Sequence, residues 1–225
     1  MVPPKPLLKI NSTVEFVAET LLPTHHGKLR VRAYRDHTDG SEPLAIISGD
    51  VDGGSEILLR AHDQCMTSEV LGSLKCDCAD QLDMALKTIK EKGQGVVLYL
   101  PQEGRGIGLA NKIAAYHLQE CGLDTVEANR RLGLPDDLRR YDAAAAIIRE
   151  LGIQSIHLMT NNPRKVRHLV QHGVTIEQRL PVHAKTNPHS EDYVATKASR
   201  MGHALDSRSM AEMLASPDSD EDEQK

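Results

Sequence analysis

The sequence predicts an α/β fold with mixed sheets, flanking helices and a strand-rich N-terminal third. Between residues 14 and 60 the apolar residues fall in short runs at 29–34, 44–47 and 57–59, broken at Gly27, Gly40 and Gly53-Gly54. Short runs bounded by glycine read as strands and turns. After Cys78 the apolar spacing becomes helical and then alternates with further short runs, the order that lays helices against a sheet. No internal repeat or linker interrupts the body, so one domain over 14–205 is expected.

Residues 1–13 hold Pro3, Pro4 and Pro6 among polar neighbours and read as a loose leader. The three short runs above supply the strands of the first third. Leu82, Ala85, Leu86 and Ile89 then share one helical face, which Lys92-Gly93 ends. A strand follows at 95–100, helices around 108–121 and 139–151, a strand at 155–159, and a helix around 163–172 whose Pro163 suits a first turn. Residues 206–225 turn polar and then acidic, the composition of a disordered tail.

With 225 residues and 40% hydrophobic content the chain can fill a core. Its formal charge is −5, and the run Asp218-Ser219-Asp220-Glu221-Asp222-Glu223 alone carries five negative charges, so the body is close to neutral. That balance, with no Trp and one Phe, gives no support for a nucleic-acid partner. No apolar run nears the roughly 18 residues of a membrane span, and the proline-rich start is not an export signal. A cytoplasmic chain without a membrane partner is expected.

Cys65, Cys76 and Cys78 fall within fourteen residues, with Cys121 apart. Without an export signal, such a cluster reads as a metal site more readily than as disulfides. Three thiolates can hold a zinc that keeps one position for water; Cys121 or a histidine would close it as a structural site; buried reduced thiols need no metal. Arg60, His62 and Asp63 favour the catalytic form, because they put cationic and proton-handling groups beside the ion. Downstream, Gln102-Glu103-Gly104-Arg105-Gly106-Ile107-Gly108 joins a strand to a helix and lets backbone amides and Arg105 approach a phosphate. Its spacing is neither the dinucleotide fingerprint nor the P-loop. Asp137 and Arg139 stand at the expected start of a helix, and Thr160-Asn161-Asn162-Pro163-Arg164-Lys165 starts another; both also fit ordinary capped turns.

Together these segments resemble the GTP cyclohydrolase II family, through His62-x-x-Cys65-x-Thr67, Cys76-Asp77-Cys78, Gln102-Glu103-Gly104-Arg105-x-Ile107-Gly108-Leu109, Asp124-Thr125-Val126-Glu127-Ala128-Asn129 and Thr160-Asn161-Asn162-Pro163. The resemblance runs from about Glu19 to Leu205, with Leu22-Pro23-Thr24 near its start and Lys197-Ala198-x-x-Met201-Gly202-His203 at its end. It implies a GTP cyclohydrolase II-like fold and a hydrolase that opens the guanine imidazole ring of GTP at C8. Formate and diphosphate leave, and a diaminopyrimidine ribotide enters riboflavin biosynthesis. It further implies one zinc per chain on Cys65, Cys76 and Cys78. GTP contacts would come from Arg60, Ala61, His62, Asp63, Gln64, Gln81, Glu103, Gly104, Arg105, Thr125, Thr160 and Lys165. Asp137 would be the proton acceptor, Arg139 the residue the family treats as nucleophile, and Tyr116 a helper near the ring. A protonated guanidinium is a weak nucleophile, so stabilisation of phosphate charge stays open for Arg139. A homodimer is implied as well, and magnesium is expected on the triphosphate.

The chain departs from the family at Asp63-Gln64, where Ser-Glu is usual, and at Ser68-Glu69, where Gly-Asp is usual. Ala79 replaces a glycine, and Pro101 a basic residue. Loss of the carboxylate at 64 bears most on the substrate, since an amide pairs more weakly with a cation or a guanine N–H. Two alternatives follow. One is ring opening without deformylation, or another purine nucleotide as substrate; the other is a zinc-stapled nucleotide-binding module without turnover.

Overall fold

A computed structural model describes residues 13–135 and 137–182. The leader before residue 13, the body beyond 182 with the motif at 197–203, and the acidic tail lie outside the described residues. Seven strands, β1 (Val14–Thr24), β2 (Gly27–Asp36), β3 (Leu44–Ser48), β4 (Ile57–Asp63), β5 (Gly95–Leu100), β6 (Ile156–Met159) and β7 (Ile176–Leu180), form one sheet in the order β1-β2-β3-β5-β4-β6-β7. The first four in that order pair antiparallel, and β5, β4, β6 and β7 pair parallel. The strand-rich first third is the antiparallel part. Its tight β1–β2 turn ends on Gly27 at φ +93°, a conformation that glycine adopts without steric cost.

Helices α1 (Met66–Glu69) and α2 (Cys78–Glu91) join β4 to β5. Helices α3 (Leu109–Glu120), α4 (Thr125–Arg131) and α5 (Asp142–Glu150) join β5 to β6, and α6 (Pro163–Gln171) joins β6 to β7. Strand alternation sorts the buried residues into two layers. Leu58 and Val97 pack on Ala85 and Ile89 of α2, while Leu59, Ala61, Val96 and Leu98 pack on Ala144, Ile147 and Ile148 of α5 and Val166 and Leu169 of α6. Each large side chain so buried contributes about 1.5–3 kcal/mol. Among the described residues, no helix is long and apolar enough to cross a membrane.

The elements expected at 108–121, 155–159 and 163–172 are α3, β6 and α6, each shorter by a residue or two. The helix expected around 139–151 starts only at Asp142. Its first turn is diverted because the Asp137 carboxylate accepts the Arg139 amide at 3.0 Å, a local bond that competes with helix.

Connections diverge at β4. Helix α2 carries the chain to β5 on one side, and α3 to α5 carry it across β4 to β6 on the other. In an open sheet such a switch point leaves a crevice beyond the carboxyl ends of the strands.

Candidate active site

That crevice is a cavity at the ends of β4, β5 and β6. Arg60, His62, Asp63, Gln64 and Cys65 line it from β4 and just beyond, Gln102, Glu103, Gly104 and Arg105 from the segment after β5, and Thr160, Asn161 and Asn162 from the segment after β6. Cys65 precedes α1 and Cys78 opens α2, so one short excursion from β4 returns the thiols to each other. The Sγ atoms of Cys65, Cys76 and Cys78 lie within 4.8 Å of one another, those of Cys65 and Cys76 at 3.6 Å. Thiolates about 2.3 Å from a tetrahedral zinc stand roughly 3.8 Å apart, so the three fit one ion with little movement. Among the described residues no histidine or carboxylate joins the group, and Cys121 is exposed at the end of α3. Among the described residues the ligand set therefore stops at three thiols. Hydrogen bonds with Cys76 and Cys78, and the Lys112 ammonium, hold the Cys65 thiol well below its ordinary range. The same contact with Cys65 pushes the Cys76 thiol up.

His62 and Asp63 leave β4 on opposite faces. On the α2 side, Arg60 donates from Nε to His62 Nδ1 (3.2 Å), from NH2 to Gln81 Oε1 (2.5 Å) and from NH1 to the Met159 carbonyl (3.3 Å). Arginine can only donate, so His62 accepts at Nδ1, carries its proton on Nε2 and donates it to Glu69 Oε1 at 2.8 Å. Burial holds His62 below its usual range and keeps it neutral. Glu69 also accepts from the Tyr99 hydroxyl (2.6 Å) and the Cys65 amide (3.0 Å). The Ser68-Glu69 departure thus keeps a carboxylate beneath the first thiol. Ser68 Oγ accepts the Ala79 amide at 3.1 Å, so two departures meet at the start of α2.

On the other side, Asp63 Oδ2 accepts from Arg139 NH1 (2.9 Å), the Tyr141 hydroxyl (3.0 Å) and Lys165 Nζ (3.1 Å). Arg139 spends its remaining edge on Asp137, from Nε to Oδ1 at 2.9 Å and from NH2 to Oδ2 at 2.5 Å. Burial opposes that guanidinium, yet Tyr141, Asp137 and Asp63 hold it well above the arginine range. Burial likewise opposes ionisation of Asp63 and Asp137, and their cations overcome it and hold both low. Lys165, which also donates to the Ala61 carbonyl at 2.6 Å, is pulled down to about 8 by burial against the opposing pull of Asp63.

The Gly-rich segment folds as a 3-10 turn over Glu103–Gly106 with positive φ at Gly104, Arg105 and Gly106. Arg105 lines the cavity, and its NH2 is buried with no hydrogen-bond partner among the described residues. Glu103 accepts the Met66 amide at 2.6 Å and Lys112 Nζ at 2.8 Å, which ties this turn to the cysteine loop.

Of the expected substrate residues whose side chains are described, all but Ala61 line the cavity. Ala61 is core, reaching Lys165 through its carbonyl, and Thr125 opens α4. The motif around Thr125 also does plain structural work. The Glu127 amide donates to Asp124 Oδ1 (2.9 Å) and the Asp124 amide to Glu127 Oε2 (3.0 Å), a reciprocal helix cap. Asp137 holds Arg139 without lining the cavity itself, whereas Tyr116 lines it from α3 with Lys75 Nζ 4.8 Å from its ring centre. Sequence reasoning passed over Gln102, Lys112, Asn129, Asn161 and Asn162, which line the same cavity. Gln102 and the two Asn of Thr-Asn-Asn-Pro stood inside quoted motifs. Lys112 carried one signal, its four-residue spacing from Tyr116 on a helix.

Comparison with known proteins gives one family. The GTP cyclohydrolase II family matches residues 15–181. A GTP cyclohydrolase-2 of Azotobacter vinelandii is 48% identical over 201 residues, covering 89% of this chain and 97% of that protein. Another, of Pseudomonas syringae pv. tomato, is 45% identical over 200 residues, covering 89% and 98%. A riboflavin biosynthesis protein RibBA of Salinispora tropica is 48% identical over 193 residues, covering 85% of this chain and 48% of that protein. The chain thus spans about half of the RibBA relative and nearly all of the shorter ones.

Proposed function

This chain belongs to the GTP cyclohydrolase II family, and we propose that it hydrolyses GTP at guanine C8, releasing formate and diphosphate and leaving a diaminopyrimidine ribotide for riboflavin synthesis. One observation carries the proposal: three converging thiols share a cavity with Arg60, Arg105, Arg139 and Lys165. Hydrolysis of a purine ring calls for a hydrolytic centre, and a triphosphate calls for convergent cations.

Cys65, Cys76 and Cys78 would hold zinc, which when bound supplies a Lewis acid and an ionised water at neutral pH. Arg60, fixed by Gln81 and neutral His62, forms a preorganised wall on the same side of β4. Arg105 and Lys165 bind the triphosphate, with magnesium neutralising part of its charge. Arg139 stabilises charge on the phosphates. Moving its proton to Asp137 would run against both shifts, the arginine being raised and the carboxylate lowered, so a guanidinium held by two carboxylates stays charged and acts as a cation and not as a nucleophile. Asp137 can accept a proton only once Arg139 turns toward a phosphate and frees a carboxylate oxygen. A homodimer belongs to the same reading and is checked by sedimentation.

The test is incubation of the purified chain with GTP and magnesium, with products identified by mass spectrometry and formate and diphosphate assayed in parallel. Equal yields of both are expected. A ring-opened product that keeps its formyl carbon, or binding without turnover, would replace this reading.

A further inference from the structure

Lys112 places its ammonium directly on a thiol of the cluster. It stands one turn into α3, the helix that follows the Gly-rich turn. Its Nζ donates to Cys65 Sγ at 3.1 Å, Thr67 Oγ1 at 2.9 Å and Glu103 Oε1 at 2.8 Å. Three acceptors for three ammonium hydrogens leave no donor spare. The side chain is 12% exposed, and Tyr116, four residues on, places its ring centre 5.7 Å from the ammonium.

Three thiolates about a divalent ion carry one excess negative charge in a largely buried setting. A Lys112 that bonded Glu103 alone would put no ammonium hydrogen on the Cys65 sulfur. The ammonium instead divides itself between Glu103 and Cys65, and Glu103 in turn holds the Met66 amide next to that cysteine. We propose that Lys112 is a positioning residue for the metal: its charge offsets the thiolate cluster and its N–H fixes Cys65 Sγ, so that the hold on zinc depends on a side chain that is not itself a ligand. The same contact links the zinc loop to the turn carrying Arg105. This proposal rests on the zinc reading of the three cysteines and is independent of which nucleotide is bound.

The test uses the full chain without nucleotide. Zinc affinity is measured by competition with a chromophoric chelator for the parent, Lys112→Gln and Lys112→Arg, with far-ultraviolet circular dichroism and a melting curve for each. Removing a group that supports a metal ligand typically weakens metal binding about 10- to 100-fold, and that loss is expected for Lys112→Gln. Lys112→Arg keeps the charge and a donor and should stay within about threefold of the parent. A folded Lys112→Gln that matches the parent overturns the proposal. If Lys112→Gln does not fold, Lys112→Met is measured in its place: a tenfold loss or more in the folded Met variant supports the charge role, and an affinity within about threefold of the parent overturns it. A parent that binds no zinc refutes the zinc reading and this proposal together, whereas a parent that binds while Lys112→Gln is unchanged refutes this proposal alone.

Discussion

Asp63 Oδ2 takes an arginine, a lysine and a tyrosine at once, which makes the carboxylate at this departure the anchor of the cationic side of the cavity. Lys165 is the group most sensitive to it. Burial draws its pKa down to about 8 while Asp63 opposes the fall. If Lys165 contacts the triphosphate, the contact is present below about pH 8, where the amine is charged, and fades as pH rises through that value. GTP affinity titrated from about pH 7 to pH 9.5 should therefore drop, and Lys165→Arg should flatten the profile, since arginine stays charged. Asp63→Asn removes the pull that keeps the amine protonated and should move the drop to lower pH; an unmoved midpoint would separate Asp63 from Lys165. The thiols allow a second measurement: Cys65→Ser, Cys76→Ser and Cys78→Ser should each lose zinc, whereas Cys121→Ser should keep it. The thiols were legible because three ligands share one short segment. Asp63 was legible as a site residue and as a departure but not as the anchor of three partners, because Arg139, Tyr141 and Lys165 lie far along the chain and no local pattern records their meeting.

Legibility at the scale of elements followed burial. Helix α2 and strand β5 bury one face or both, and their periodicity is plain. Strand β1 is an edge strand exposed along most of its length, and β7 mixes Glu177, Gln178 and Arg179 between its apolar ends, so neither offers a two-residue pattern and neither was read as a strand. Edge position also explains why Pro23 is tolerated inside β1. The Gly-rich turn shows what a motif means physically. Gly106 has φ +88°, and a Cβ there would meet Leu138 Cβ at 2.9 Å and the Leu138 carbonyl carbon at 3.1 Å. The Leu138 amide in turn donates to the Arg105 carbonyl at 2.9 Å. This turn is therefore packed directly against the segment that carries Asp137 and Arg139. Gly106→Ala should displace that segment at a stability cost of roughly 1 kcal/mol or more, lowering kcat/KM for GTP about 10- to 100-fold with zinc content unchanged. Full activity in the Ala variant would show that the segment can yield without effect.

Across the whole molecule, the end of β4 divides the cavity by strand alternation. The thiols, Arg60 and His62 lie toward α2, and Asp63, Arg139 and Lys165 lie toward α5 and α6. The fold thus sets a thiol side against an Asp63 side, each with its own supporting helices; in the proposed reaction the first would serve the ring and the second the phosphates, and ring hydrolysis and diphosphate release should then separate by mutation. Cys76→Ser removes a proposed metal ligand but leaves the Arg139 clamp, so diphosphate should still be released from GTP while formate falls to background. Arg139→Ala leaves the thiols and frees Asp137, so zinc should be retained and diphosphate release should fall about 10²–10³-fold, the usual cost of losing one preorganised charge-stabilising group. Asp137→Asn removes the carboxylate that orients Arg139 and should follow Arg139→Ala in kind, though less severely because Asp63 still holds NH1. Formate and diphosphate are measured together for the three variants, with zinc content, folding and GTP binding checked for each. If Cys76→Ser remains folded, binds GTP and yet yields neither product, the two sides do not act separately and diphosphate release depends on the metal as well.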